Sequence, residues 1–319
     1  MDKIILPLME PGYSTYHGQA AAGAILTENP SVWNFYINRA VNLRCNTKFL
    51  EGYSTPDLGV DRSDFTECPA IDKRMIEMEF IEKYTEQVIK NFLKSGFYVF
   101  FGGVDDYYMD GKTWFRERHF NHNGLIHGYD PEDESFLVYA YDFQWKLSSF
   151  KVPVKSFRKA RKSGCDGVLF GIAPHRKPIE LDPAMILENL KDYLRSSEEN
   201  DCIKGRLVHR YLGRFLDMHI SGEISYEKLD RRIFRLLWEH KKVMRERLEK
   251  LGLDDIAGSY GDVVALADSM RILYGIYHRK YNTTILPAVK EKLEMADALE
   301  NDLLNKAVKR LEEKQCGKE

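Results

Sequence analysis

The stretch HNGLIHGYDPEDESFLVYAYD, residues 122–142, contains two residues that could form an acid–base pair. If a turn centres near Glu132, residues whose numbers sum to about 264 face each other across a hairpin, and His122 and Asp142 meet this condition. A carboxylate beside an imidazole holds the ring in one tautomer and stabilises its protonated form. We therefore expect a catalytic hydrogen bond between His122 and Asp142. A structural pair at the end of the hairpin stays open as an alternative, because a register slip of one residue would separate the two side chains.

The stretch YSTYHGQAAAGAILTEN, residues 13–29, leads into a predicted helix that begins at Ala20. The first N–H groups of a helix have no intrahelical partner, and with the helix dipole they lower the pKa of a thiol and bind an oxyanion. A nucleophile would suit this position, but Ala20, Ala21 and Ala22 occupy it. The alanines are also consistent with an ordinary helix start, because alanine has the highest helix propensity.

Four features together resemble the papain-like domain of the butirosin biosynthesis protein H family. They are the YHGQ stretch with its small-residue helix, the segment GFYVFFGGVDDYYMDG, the motif H-x-x-L-I-x-G-Y-D at 122–130, and the strand that ends at Asp142. The resemblance covers roughly residues 5–165, and it extends to the amide-forming enzyme of closthioamide biosynthesis. It implies a papain-like cysteine protease fold and an acyltransferase that moves an acyl group from a carrier-protein thioester to an amine through a Cys-His-Asp site.

The resemblance maps the nucleophilic cysteine onto Ala20, with His122 as the base and Asp142 as its orienting carboxylate. Three explanations of the alanine stay open: it replaces a native cysteine, the protein has lost its nucleophile naturally, or the thiol is Cys45 or Cys68. Residues expected to contact substrate lie in the stretch before the helix and in a loop that forms a rim. They are Tyr16, His17, Gln19, Tyr107, Tyr108 and Trp114.

The function expected from this resemblance is amide-bond formation in the biosynthesis of a nonribosomal peptide-type antibiotic. The expected partners are an acyl or peptidyl carrier protein, whose phosphopantetheine carries the acyl group, and a small amine; no cofactor or metal is expected. A basic run, KVPVKSFRKARK at 151–162, could dock an acidic carrier protein or be a solvated helix face. Two other functions stay open, a cysteine peptidase or amidase and a catalytically inactive protein that binds a metabolite or a carrier protein.

The composition of the chain bears on its expected partners, on membrane association and on its cellular location. The 319 residues carry a formal net charge of −2, which does not favour nucleic acid as a partner. We expect no membrane association, since no apolar run approaches the about 18 residues of a membrane span. The five cysteines lie far apart and form no CxxC pair, which is typical of reduced thiols in a cytoplasmic protein. A homodimer stays open.

The elements that must position these residues divide the chain near residue 172. We expect an α+β domain, 1–172, that is papain-like and catalytic, and an appended all-helical C-terminal domain, 173–319. The predicted helices of the first domain are 20–28, 31–43 and 72–95, and its predicted strands are 97–104, 123–130, 135–142 and 166–173. The predicted helices of the second domain are 183–197, 201–220, 226–252, 262–281 and 287–314.

Overall fold

The structure is a computed structural model, and the residues that it describes are 2–26, 30–52, 55–63, 67–164, 168–174, 178–224 and 230–316. Of these described residues, 53% are helical and 20% lie in strands, so the structure is mixed α/β, and its C-terminal region is helical. The chain forms two compact units. The sheet unit comprises Met1–Trp33 and Asp64–Ile179, and the helical unit comprises Asn34–Ser63 and Glu180–Glu319.

This division differs from the expected one in two respects. The last boundary lies between Ile179 and Glu180 rather than near 172, and residues 34–63 belong to the helical unit although they precede most of the sheet in the chain. The buried Arg247 explains the second difference, because its guanidinium donates to the backbone carbonyls of Tyr36, Ile37 and Ala40. These bonds satisfy carbonyls at the end of a helix, and a sequence pattern does not reveal such a long-range cap.

The sheet unit contains a seven-stranded antiparallel sheet with the order β4-β9-β5-β6-β7-β8, and β1 pairs with β6 in addition. Its strands are β1 (Ile4–Ile5), β4 (Ile71–Glu77), β5 (Tyr98–Asp105), β6 (Asn121–Asp130), β7 (Ser135–Tyr141), β8 (Leu147–Pro153) and β9 (Val168–Pro174). Its helices are α1 (His17–Leu26), α3 (Thr85–Lys94) and α4 (Val154–Ser163), while α2 (Pro30–Arg39) contains the boundary between the units. Helix α1 packs against β6 and β7.

The core of the sheet unit follows from the alternation of apolar residues along the strands. Inward-facing residues of β5, β6, β7 and β9 pack with one face of α3 and α4, as expected for a sheet covered by helices. Residues of this core include Leu93, Val99, Phe101, Ile126, Phe136, Val138, Phe157 and Leu169.

The predicted helix over 72–95 is wrong in its first half. Residues Ile71–Glu77 form β4, which pairs with β9, and only Thr85–Lys94 is α-helical. The helical spacing included Phe80 and Tyr84, yet both side chains are exposed. An edge strand gains its stability from backbone pairing with its neighbour, so local periodicity does not decide its conformation. Strand β8 was not predicted either.

In its described residues, the helical unit contains the end of α2, five further α-helices and a four-stranded sheet with the order β10-β11-β2-β3. The helices are α5 (Pro183–Arg195), α6 (Leu207–Ile220), α7 (Ile233–Lys250), α8 (Asp254–Lys280) and α9 (Leu286–Cys316). The strands are β2 (Leu43–Asn46), β3 (Gly59–Val60), β10 (Ser197–Glu199) and β11 (Cys202–Lys204). The expectation of an all-helical domain is therefore wrong, because residues 201–206 begin with β11 and a turn at Gly205 rather than with a helix.

A buried ionic cluster lies among the helices of this unit, and we call it the Glu300 network: Tyr193, Lys241, Tyr260 and Glu300. The Lys241 ammonium lies 2.8 and 2.7 Å from the two carboxylate oxygens of Glu300. Tyr193 donates to one of these oxygens at 2.9 Å, and Tyr260 donates to the other. All four residues are fully buried, so the network satisfies every oxygen that its carboxylate presents.

No helix within the described parts of the chain is both long enough and apolar enough to cross a membrane.

Candidate functional site

Two acidic residues stand where β5 ends. Asp105 is the last residue of the strand, and its carboxylate accepts from the backbone N–H of Tyr107, which fixes the start of a 3-10 helix over Asp106–Tyr108. Short polar side chains favour such caps because they satisfy N–H groups that the helix leaves open. Both aspartates are buried, so each needs a partner close by.

The partner of Asp106 is His122, the second residue of β6. The Nδ1 atom of His122 lies 2.9 Å from Oδ2 of Asp106, and the Lys112 ammonium lies 3.4 Å from Oδ1. We call these three residues the His122 cluster. Asp106 and Lys112 are buried, whereas the side chain of His122 is 24% exposed. Burial lowers the pKa of Lys112 below its ordinary value, although the neighbouring Asp106 carboxylate acts in the opposite direction.

The contact with Asp106 determines the tautomer of His122. A carboxylate accepts hydrogen bonds, so Nδ1 of His122 must carry the proton and donate it to Asp106. In the neutral ring, Nε2 then has a lone pair. The cluster therefore presents a partly exposed, oriented imidazole that can take a proton from a substrate and return it.

His17, the first residue of α1, packs against this imidazole. The centroids of the two rings are 4.3 Å apart in an edge-to-face arrangement. The backbone N–H of Tyr141 donates to Nε2 of His17 at 3.3 Å, and the Tyr141 ring packs edge-to-face against the same imidazole. Because α1 packs against β6 and β7, the fold brings His17 and His122 together from positions far apart in the chain.

Aromatic rings extend from His122 towards the surface. Phe120 packs edge-to-face with His122 at 5.2 Å between centroids, and Trp114 packs against Phe120 at 6.4 Å. Trp145 contacts Trp114 at 6.1 Å, and the Arg118 guanidinium lies 3.6 Å above the Trp114 ring. Such a rim offers apolar surface and the Arg118 guanidinium near the histidine, which together suit a ligand with an apolar part and an anionic group.

Asp105 supports a second histidine only three residues before His122. Its Oδ2 atom lies 2.7 Å from Nδ1 of His119 and accepts from the Ser163 hydroxyl at 2.6 Å. Burial would raise the pKa of Asp105, but these two hydrogen bonds and backbone donors hold the pKa of this carboxyl below its ordinary value. The His119 side chain is 65% exposed and stacks on Tyr107, and Tyr107 contacts Tyr108. The Tyr108 ring also packs against His119, at 6.0 Å between centroids, whereas Trp114 belongs to the rim of His122.

The predicted hydrogen bond between His122 and Asp142 is wrong. Asp142 follows β7 in a turn, where its carboxylate accepts from the backbone N–H groups of Gln144 and Lys146 and from the Ser148 hydroxyl. Burial would raise the pKa of Asp142, but these bonds lower it. The hydrogen bonds of the turn therefore satisfy the Asp142 carboxylate. Asp106 lies beside the His122 imidazole, where Asp142 was expected.

Ala20 does not stand at the start of its helix. Helix α1 begins at His17, and the N–H of Ala20 donates to the carbonyl of Tyr16 at 2.9 Å, so this amide has an intrahelical partner. The side chain of Ala20 is buried. The first turn instead contains His17, Gly18 and Gln19, so the expectation that Ala20 offers an unpaired N–H is wrong. The start of an α-helix is set by the residue whose backbone carbonyl accepts the first hydrogen bond of the helix. The helix propensities of the residues do not by themselves identify that position.

The described cysteines offer no thiol with the expected features. Cys45 belongs to the helical unit, and burial raises the pKa of its thiol to about 12, which opposes thiolate formation. Cys68 is buried in the sheet unit before β4, and neither residue begins an α-helix. Cys165 lies outside the described residues.

Sequence reasoning missed Asp106, Lys112 and Phe120. A signal was present, because two adjacent aspartates directly follow an apolar strand in FGGVDDYY, and a buried strand end is a common place for such residues. Their pairing with His122 and His119 depends on the register between β5 and β6, in which Val104 faces His122 and Asp105 faces Asn121.

No protein-family model matches this chain, and no curated protein matches it.

Proposed function

We propose that this protein is an amide-forming acyltransferase of natural-product biosynthesis with a papain-like sheet unit, in which His122 is the acid–base residue and Asp106 orients it. The hydrogen bond of 2.9 Å between Nδ1 of His122 and Asp106 carries the proposal. It leaves Nε2 as the proton acceptor on a side chain that is 24% exposed. The packing of α1 against the strands that hold His122 supports the papain-like assignment.

The reaction requires one proton relay. A small amine attacks the carbonyl carbon of a thioester on carrier-bound phosphopantetheine, and Nε2 of His122 accepts the proton that the amine loses. The C–N bond forms, the C–S bond breaks, and the departing sulfur takes the proton back from His122. Asp106 stabilises the imidazolium between these steps, because its carboxylate accepts the Nδ1 proton throughout.

Direct attack by the amine suits the residue that the chain has at position 20. A methyl group cannot form an acyl-enzyme, and the side chain of Ala20 is buried in α1. Residues three positions apart on a helix lie side by side, so a thiol at position 20 would neighbour His17. The replacement Ala20→Cys therefore tests whether this site also supports a covalent route.

The basic helix α4 supports an acidic carrier protein as the donor. Its buried residues Val154, Phe157 and Ala160 form one face, and its other positions carry five cations. These cations are Lys155, Arg158, Lys159, Arg161 and Lys162. Arg158 already pairs with Glu86 on α3, so the remaining cations are the ones that would attract an acidic helix.

A second candidate is a protein that binds an acyl carrier or a metabolite without catalysis. One observation favours it: within the described parts of the chain, the hydrogen-bonding partner of His122 is Asp106, and the Lys112 ammonium lies 3.4 Å from the same Nδ1 atom. Neither group is a hydroxyl or thiol nucleophile.

The deciding experiment measures amide formation from an N-acetylcysteamine thioester and a primary amine by mass spectrometry. We expect amide from the unchanged protein and a loss of about 100-fold or more in His122→Ala, the usual contribution of a general base. The matched control is His119→Ala, which removes the neighbouring histidine and should retain the rate. Equal losses in both variants would contradict the assignment. Free acid in place of amide would favour the amidase, and thioester binding without turnover would favour the binding protein.

A further inference from the structure

A second histidine of β6, His127, is hydrogen-bonded to Leu6 of the N-terminal segment. The backbone N–H of Leu6 donates to the carbonyl of His127 at 2.8 Å, and Nδ1 of the imidazole lies 3.0 Å from the carbonyl oxygen of Leu6. His127 sits where the register between β6 and β7 shifts, between Ile126 and Gly128. Such an irregularity redirects a side chain from the regular alternation of the strand.

The other ring nitrogen of His127 contacts a serine. Nε2 lies 2.6 Å from the hydroxyl of Ser149 on β8. A carbonyl oxygen only accepts, so Nδ1 of His127 must donate to Leu6, and Nε2 of the neutral ring must then accept. Ser149 is consequently the donor in the short hydrogen bond. Its hydroxyl proton is directed towards Nε2 of His127, which can act as a base.

Ser149 and His127 differ in solvent exposure, as expected for a nucleophile and the base that activates it. His127 is buried, at 5% exposure, whereas Ser149 is exposed. Burial lowers the pKa of His127, against the raising effect of its bond to Leu6, so the imidazole stays neutral and able to accept at neutral pH. Strand β8 ends the order of the sheet, so backbone N–H groups at or next to Ser149 face away from β7.

We propose that Ser149 and His127 form a second catalytic site, a serine esterase site that is independent of His122 and goes beyond the proposed amide-forming function. The Ser149 oxygen attacks the carbonyl carbon of a small ester while Nε2 of His127 takes the hydroxyl proton. The departing alcohol receives that proton as the C–O bond breaks, which leaves an acyl-serine. Water then hydrolyses the acyl-serine, with His127 again moving the proton. The Leu6 carbonyl takes the orienting role that a carboxylate has in a triad.

The first experiment treats the full chain with a fluorophosphonate and locates the adduct by peptide mass spectrometry. Serine displaces fluoride from phosphorus, and the hydroxyl proton passes to His127. We expect one adduct on Ser149, none in Ser149→Ala, and unchanged labelling in Ser148→Ala and His122→Ala. Ser148 is the matched control because it is adjacent and its hydroxyl is bonded to Asp142 instead of a histidine. Labelling should persist below pH 6.5, the ordinary pKa of histidine, and be lost only when His127 protonates. No adduct, or an adduct elsewhere, would overturn the proposal.

The second experiment first leaves the buried histidine unchanged and replaces it only in a final comparison. In Ser149→Cys the thiol faces the same imidazole, so it should react with iodoacetamide about tenfold faster than the thiol of Ser148→Cys. In Ser149→Cys/His127→Gln this advantage should disappear. Equal alkylation rates for the two cysteine variants would overturn the role of His127 as a base.

Discussion

Each unit of this protein contains a lysine paired with a carboxylate below the surface, and the two pairs differ in what surrounds them. In the Glu300 network, Lys241 and two tyrosines occupy both oxygens of Glu300, and all four residues are fully buried. In the His122 cluster, Asp106 shares its oxygens between Lys112 and an imidazole that is 24% exposed. The first arrangement is closed, and the second leaves one ring nitrogen for another molecule.

The difference shows why burial of charge does not by itself identify a functional site. Burial would raise the pKa of Glu300, but Lys241 and two histidines lower it to about 2, so the carboxylate stays ionised where water cannot reach it. A closed network of this kind specifies one packing arrangement, and nothing in it can exchange a proton with a substrate. The His122 cluster also contains a buried lysine and a buried carboxylate, but its imidazole is partly exposed to solvent.

The largest expected effect is on stability, in the closed network. Lys241→Met should lower the free energy of unfolding by about 3–5 kcal/mol, because it leaves the Glu300 carboxylate buried without its counter-charge. Urea titration measures this loss. The control is Lys290→Met, which breaks a surface pair with Asp217 and should change stability by less than about 1 kcal/mol. Similar losses in both variants would remove the distinction between the closed network and an ordinary ion pair.

The second-largest expected effect is on catalytic activity, in the His122 cluster. Asp106→Asn should reduce amide formation by about 100-fold, because an amide can hold His122 in the wrong tautomer. Asp142→Asn should retain the rate, since Asp142 caps a backbone turn away from the imidazole. Steady-state kinetics of the two variants distinguishes the two carboxylates. A larger loss in Asp142→Asn would reverse the assignment of the orienting residue.

A third test compares buried and exposed histidines. Burial lowers the pKa of His219 from 6.5 to about 4, and the ring packs edge-to-face on Phe215. The unfolded chain therefore takes up a proton before the folded one as the pH falls. Stability should decrease from about pH 6.5 to about pH 4, by about 3 kcal/mol from this residue, and the loss should stop below that range.

His219→Phe should flatten this part of the pH profile of unfolding. The control is His119→Ala, which removes a histidine that is 65% exposed and should leave the slope in place. An unchanged slope in His219→Phe would show that another group causes the pH dependence.

The smallest expected effect concerns the second aspartate of the sheet unit. Ser163→Ala removes a hydroxyl that donates to Asp105 and should cost about 1 kcal/mol at neutral pH. The folded-state pKa of Asp105 is lowered, so this contribution is complete above its ordinary value of 3.8 and is lost as the pH falls below it. Urea titrations above and below that value should differ for Ser163→Ala and agree for Ser156→Ala, a replacement on the same helix. A loss that persists in acid would contradict the role of Asp105.

Much of the architecture was predictable because long periodic segments have one reasonable conformation. The strands around Val99, Ile126 and Val138 were predicted from apolar and β-branched runs, and the structure confirms them within two residues. The turn at Pro131–Glu134 separates β6 from β7 as expected. Strand β4 was not predictable in the same way, because its apolar residues have helical spacing and only its pairing with β9 makes it a strand.

The candidate site was predictable only in part. The expected register of the hairpin is present between Leu125 and Tyr139, but β7 ends at Tyr141, and Asp142 turns to cap the backbone that follows. The sequence indicated that His122 needs a carboxylate. It did not indicate which one, because Asp106 reaches the imidazole from the neighbouring strand β5 and through a 3-10 turn.

The sequence by itself determined the strands around Val99, Ile126 and Val138, the place of His122 on a strand, and the presence of polar residues where α1 begins. These features depend on local patterns, which are readable over a few residues. Only the tertiary structure decided that Asp106 is the partner of His122, that His17 packs on the same ring, and that Asp142 serves a turn. Each of these pairs depends on strand register and on contacts between residues distant in the chain. A shift of one residue would give each side chain a different neighbour without changing the local pattern.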